Sequence, residues 1–228
     1  MVAPLRRSFS DRRIVYVASL GTLSIFVLAL IAFQTVYAGN SENLAMAWNL
    51  FLAWIPFVLA LIIYDRATPD ASPPALAVVA VLWLVFLPNA PYVVTDLKYI
   101  DGFSGASAIY NVVLLASAAW TGLLLGLTSL FLIHAVARRL VGAVNAWALV
   151  VGALALSSFG IYLGRVQRWN SWDVFVRPGS LFGHIAEGLL HPLNHPRPVA
   201  ITIVFTLFLL GSYLVFYSFA QRSSPVNE

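Results

Sequence analysis

Two short stretches of this chain hold the side chains best suited to chemistry. One is Asn89 to Asp96, Asn-Ala-Pro-Tyr-Val-Val-Thr-Asp; the other is Arg165 to Asp173, Arg-Val-Gln-Arg-Trp-Asn-Ser-Trp-Asp. A guanidinium facing a carboxylate forms short, charge-assisted and often bidentate hydrogen bonds, and the same fork fits a phosphate. Arg165 and Arg168 are three residues apart, so on a continuing helix they project from one side. Asp96, Asp101 and Asp173 are available as their partners. The expected chemistry is capture of an anionic group, a lipid headgroup phosphate or a small anion, by Arg165 and Arg168. Asp96 would orient an arginine, and Asn89, Tyr92, Thr95, Asn170 and Asp173 would complete the site. In a second account Asp96 or Asp173 is the general base of a membrane enzyme acting on a lipid-linked substrate. In a third, the ion pairs only lock two helices together, while Trp169 and Trp172 anchor the chain in the headgroup layer and arginine snorkels to it.

Metal and cofactor chemistry has weaker support. His184, Glu187 and His191 share one face of a short helical stretch, but their i, i+3, i+7 spacing is not the His-Glu-x-x-His zinc pattern. Pro192 and Pro196 would disrupt helix beyond His191. Leu181, Phe182, Ile185, Ala186, Leu189 and Leu190 fall on the opposite half of the wheel, so an amphipathic helix over about 180–190, with Ser180 as N-cap, is the better reading. His134 sits at the far end of another span, which leaves no histidine pair at matching depth for a haem. The absence of cysteine excludes disulfides, thiolate chemistry and Cys-ligated zinc or iron–sulfur clusters. There is no phosphate loop, dinucleotide fingerprint or nucleophile elbow. No cofactor is expected.

These side chains must be positioned by elements that suit lipid. The sequence is 61% hydrophobic and 10% charged over 228 residues, against roughly 45–50% and about 25% in soluble domains. Six stretches approach the ~20 apolar residues needed to span hydrocarbon as a helix: Ile14–Tyr37, Leu44–Tyr64, Ala75–Val94, Tyr110–Ile133, Val144–Leu163 and Val199–Phe219. The net charge of +4 comes from basic residues concentrated at helix ends, so it marks orientation and not a nucleic-acid surface. With the N-terminus inside, the inner segments hold Arg6, Arg7, Arg12, Arg13, Arg66, Arg138, Arg139 and Arg222. The outer ones hold Lys98, Arg165, Arg168, Arg177 and Arg197. The expected arrangement is a basic cytoplasmic segment 1–13, one transmembrane domain 14–219 and a cytoplasmic tail 220–228, in the inner membrane with both termini inside. The apolar run after Arg13 exceeds the roughly 7–15 residues of a cleavable signal, so the first span is read as retained.

The third span poses a length problem. Ala75 to Leu87 gives roughly 20 Å of helix, short of the ~30 Å hydrocarbon core, before Pro88-Asn89-Ala90-Pro91 removes two backbone donors. The span is therefore expected to be broken or re-entrant, as the discontinuous helices of binding sites are; a packing kink, or a span that simply ends at Leu87, is the alternative. Gly122-x-x-x-Gly126 and Gly160-x-x-x-Gly164 allow close helix approach. The second would press the fifth span on a neighbour just below Arg165.

The strings LPNAPYVVTDL and SSFGIYLGRVQRWNSWDV resemble the signature stretches of an uncharacterised bacterial membrane family, domain of unknown function 1361. The resemblance runs from Ile14 to about Phe219. It implies a multi-pass fold, emphasises the same two segments and supplies no activity or cofactor. It also implies a histidine after Thr-Asp-Leu, where this chain has Lys98 and Tyr99, which argues against a metal or proton-relay role there. The expected fold is an all-α membrane protein of six transmembrane helices. Its third span is broken by Pro and Asn, and a short interfacial helix lies in the last outer loop, 164–198. The expected partners are membrane lipids, with no nucleic acid.

Overall fold

The computed structural model describes residues 3–38, 44–68, 72–100, 106–167 and 196–222, together with 176 and 179. Among these residues every regular element is helical: α1 (Ala3–Ala38), α2 (Leu44–Arg66), α3 (Pro73–Phe86), α4 (Asn89–Tyr92), a 3-10 segment (Val93–Ile100), α5 (Ala106–Val166) and α6 (Pro196–Arg222). Among the described residues, five helical stretches are long and apolar enough to cross a membrane: 13–37, 44–66, 73–98, 108–166 and 198–221. Their outward faces carry large apolar side chains such as Ile25, Phe51, Val81 and Leu207, each more than half exposed. Continuous apolar exposure of this kind suits lipid and not water.

Side-chain contacts between helices define the two ends of the bundle. At one end Arg13 of α1 pairs with Asp65 of α2 through two 2.8 Å hydrogen bonds, and Arg139 of α5 donates to the hydroxyl of Tyr64. At the other, Gln34 of α1 donates to Asn111 of α5 at 3.0 Å, and Asn49, near the start of α2, reaches Asp96. Asn111 and Arg165 thus mark one end and Arg139 the opposite one. α5 must run down and return as two antiparallel arms. Gly142 makes the reversal, with φ +81° and ψ 170°, a region that a side chain would strain. Across this junction the rings of His134 and Trp147 meet at 4.7 Å.

The third span solves its length problem without turning back. Leu87 (φ −52°, ψ −41°), Pro88 (φ −56°, ψ −28°) and Val93 (φ −58°, ψ −28°) all keep right-handed helical dihedrals. What changes is the hydrogen-bond ladder. Ala90 N–H reaches Leu87 O at 3.2 Å in an i→i+3 step, Tyr92 N–H returns to Pro88 O at 3.0 Å, and the following residues are 3-10. The Asn89 side chain donates to Phe86 O at 2.9 Å, serving a carbonyl near the proline pair. Since 3-10 helix rises about 2 Å per residue against 1.5 Å for α, the 26 residues 73–98 reach roughly 40 Å. The span expected to be broken or re-entrant is interrupted as α-helix at Leu87–Pro88, resumes over Asn89–Tyr92 and passes to 3-10 helix at Val93, and over its whole length it is long enough to cross.

The two arms of α5 cradle this rod. An added Cβ on Gly122 would lie 2.6 Å from Ala90 O, one on Gly126 3.1 Å from Ala90 Cβ, and one on Gly160 2.6 Å from Pro88 Cγ. Residues 88–93 therefore fit the space that three glycines leave open. Leu87, Leu123, Leu127, Leu154, Ile161 and Leu209 form the apolar packing around the cradle. The expected interfacial helix 180–190 lies outside the described residues.

Candidate functional site

Pinning residues 88–93 between the arms of α5 presents the 3-10 segment to the last turn of α5. There Arg165 meets three of the residues expected around it. Its Nη2 donates to Asp96 Oδ1, its Nε donates to Thr95 Oγ1 at 2.7 Å, and Nη2 also reaches that hydroxyl. Its guanidinium carbon lies over the Tyr92 ring, 4.4 Å from the centroid, a cation–π arrangement that strengthens as water is excluded. Thr95 in turn donates to Tyr92 O at 2.6 Å, which orients its lone pairs toward Arg165. The 3-10 geometry contributes here: with about three residues per turn, Tyr92 and Thr95 stack on one side, beside Asp96.

The pair is withdrawn from water. The Asp96 side chain is 6% exposed and that of Arg165 16%. A buried carboxylate needs every lone pair answered. Asn49 supplies a further donor, Nδ2 to Asp96 Oδ2 at 3.2 Å, so both carboxylate oxygens are engaged and α2 joins the site. Sequence reasoning did not identify Asn49. The available signal was a lone amide in an apolar span, since intramembrane polar side chains generally find partners on neighbouring helices. Nothing in the spacing linked it to Asp96.

The expected site residues divide clearly. Tyr92, Thr95, Asp96 and Arg165 come together. Asn89 serves Phe86 O and belongs to the proline step. Arg168, Asn170, Asp173, His184, Glu187 and His191 lie outside the described residues, as does Asp101. α5 ends at Val166, so a helical register carrying Arg165 on to Arg168 is not part of the described helix. As it stands the arrangement holds the Arg165 guanidinium at the end of a helix bundle, and among the described residues the carboxylate paired with it is Asp96, where α2, the 3-10 segment and α5 meet.

Residues 48–211 match the model of a family described as protein of unknown function, DUF1361. No curated protein and no solved structure matches the chain.

Proposed function

The chain belongs to the DUF1361 family, whose function is unknown, and from that premise we propose a six-span membrane protein that binds an anionic group at Arg165 on its outer face. The group is a lipid headgroup phosphate or a small anion. One observation carries this reading: Arg165 is held by Thr95 and Tyr92 as well as by Asp96. Thr95 and Tyr92 leave its charge intact, so an anion can exchange with the Asp96 carboxylate while the guanidinium stays in position. Six crossings follow from counting the two arms of α5 separately. The basic residues Arg13, Arg66, Arg138 and Arg139 support a reading in which their end faces the cytoplasm, with Arg165 on the outer side of the inner membrane and both termini on the cytoplasmic side.

The orientation has a direct test in a chain without cysteine. Single cysteines at positions 104 and 180 should react with a membrane-impermeant thiol reagent in intact cells, and one at position 72 only after lysis. Labelling at 72 in intact cells reverses the assignment.

The ligand reading is tested on the purified full-length protein by thermal melting with added inorganic phosphate or short-chain phosphatidylglycerol. The wild type should be stabilised by one of them. Arg165→Lys keeps the charge and loses the planar fork, and should weaken that response by about tenfold, or 1.4 kcal/mol. A second reading is a structural clamp, favoured by the engagement of both Asp96 oxygens with Arg165 and Asn49. Under it, neither anion shifts the melting of the wild type, and Arg165→Lys changes stability alone.

A further inference from the structure

At the end of the bundle opposite Arg165, two adjacent arginines are fixed in place by phenols, with no carboxylate paired to them among the described residues. Arg138 Nη1 donates to the Tyr217 hydroxyl of α6 at 2.6 Å, and Gln221 Nε2 donates to the same oxygen. Arg139 lies over the Tyr64 ring of α2, 5.1 Å from its centroid, and its Nη2 donates to that hydroxyl at 3.3 Å. Neighbouring residues on a helix point about 100° apart, and here each side chain folds onto a phenol from a different flanking helix. A phenol orients a guanidinium and leaves its charge. Asp65, next to Tyr64, is engaged through both oxygens by Arg13. Neither Arg138 nor Arg139 faces a carboxylate among the described residues.

Two independent observations point to a ligand. One turn before Arg138, His134 is 1% exposed. Its Nδ1 is hydrogen-bonded to the Tyr213 hydroxyl at 2.8 Å, and its ring stacks on Tyr217 at 5.2 Å. Its buried Nε2 has no hydrogen-bond partner among the described residues, although buried polar atoms are nearly always satisfied. The second observation is the apolar tip that follows the arginines, where Leu140 is 71% and Val144 83% exposed. A polar turn would carry Arg138 and Arg139 into water. An apolar one sinks into lipid and keeps the guanidiniums at headgroup depth, where the abundant acceptors are phosphates.

We infer that this end carries a second anion site, in which Arg138 and Arg139 bind a phosphate group and His134 Nε2–H donates from below. The apolar tip favours an anionic phospholipid over free phosphate as its source. This site is independent of the reading of Arg165.

The experiment follows lipid retention by the full-length protein in neutral detergent, using native mass spectrometry with equal phosphatidylglycerol and phosphatidylcholine. Phosphatidylglycerol should be retained preferentially. R138Q/R139Q should lose at least about tenfold in its affinity, the scale set by losing a hydrogen bond to a charged group. The same loss is expected in an Arg165→Lys background, which separates the two ends. Displacement of phosphatidylglycerol by millimolar inorganic phosphate supports the phosphate site and makes the free anion a ligand too. Equal retention of the two lipids, or unchanged phosphatidylglycerol binding in R138Q/R139Q, overturns the inference. If that double variant fails to fold, Y64F/Y217F keeps both charges and releases both guanidiniums. It should weaken phosphatidylglycerol binding, and unchanged affinity there overturns the inference as well.

Discussion

Replacing Arg165 by Gln is expected to destabilise the protein by about 3–5 kcal/mol, the usual cost of leaving one charge of a buried pair without its partner. The charge left behind is Asp96, 4% exposed as a residue and surrounded by helices. Asp96→Asn should cost less, because Arg165 keeps Thr95 and the Tyr92 ring. The double variant Asp96→Asn/Arg165→Gln should be more stable than the sum of the two predicts, by a coupling of about 1–3 kcal/mol. Asn49→Leu removes the donor to Asp96 Oδ2 and should cost about 1.5–3 kcal/mol, the range for hydrogen bonds to charged groups. Reversible unfolding in mixed detergent–SDS micelles measures all four variants. Strict additivity of the Asp96 and Arg165 substitutions would show that the pair does not act as a unit.

The second large effect is expected at a residue with no polar chemistry. Gly122→Ala places a methyl 2.6 Å from the carbonyl oxygen of Ala90 and 3.0 Å from Val93 Cβ. A backbone oxygen in a packed rod cannot rotate away, so α5 and the 88–93 segment must separate. Overpacking of this kind costs about 1–3 kcal/mol. Gly126→Ala, on the same helix face, meets the Ala90 methyl at 3.1 Å and should cost clearly less. Gly160→Ala drives a methyl to 2.6 Å from the rigid Pro88 ring and should resemble Gly122→Ala. Because the same contacts hold Thr95 and Asp96 against Arg165, both damaging variants should also weaken the coupling between Asp96 and Arg165. Melting temperatures in one detergent rank the three. Equal tolerance of alanine at positions 122 and 126 would show that the close approach to Ala90 O is not a constraint.

The sequence alone determined the solvent of this protein and much of its wiring. Apolar runs of about 20 residues admit only helix in lipid, because every backbone donor and acceptor must be satisfied within its own segment, and the described residues are helical accordingly. It also marked the charged residues able to meet, since a carboxylate such as Asp96 in an apolar span requires a cation. Among the described residues, the acid found against Arg165 is Asp96.

Three features were settled only by tertiary contacts. Two prolines within four residues suggested a break; the α-helix is interrupted at Leu87–Pro88, yet the backbone keeps helical dihedrals there and residues 88–93 lie where Gly122, Gly126 and Gly160 leave room for them. Local sequence gives the loss of donors; the neighbouring helices decide whether the backbone bends. Asn49 became a partner of Asp96 because α2 packs beside the 3-10 segment, a relation between residues 47 apart that no local spacing encodes. At the opposite end, the fixed positions of the Arg138 and Arg139 guanidiniums come from Tyr217 and Tyr64. Those phenols reach Arg138 and Arg139 from two other helices, and in the sequence they read as ordinary aromatic residues at span ends.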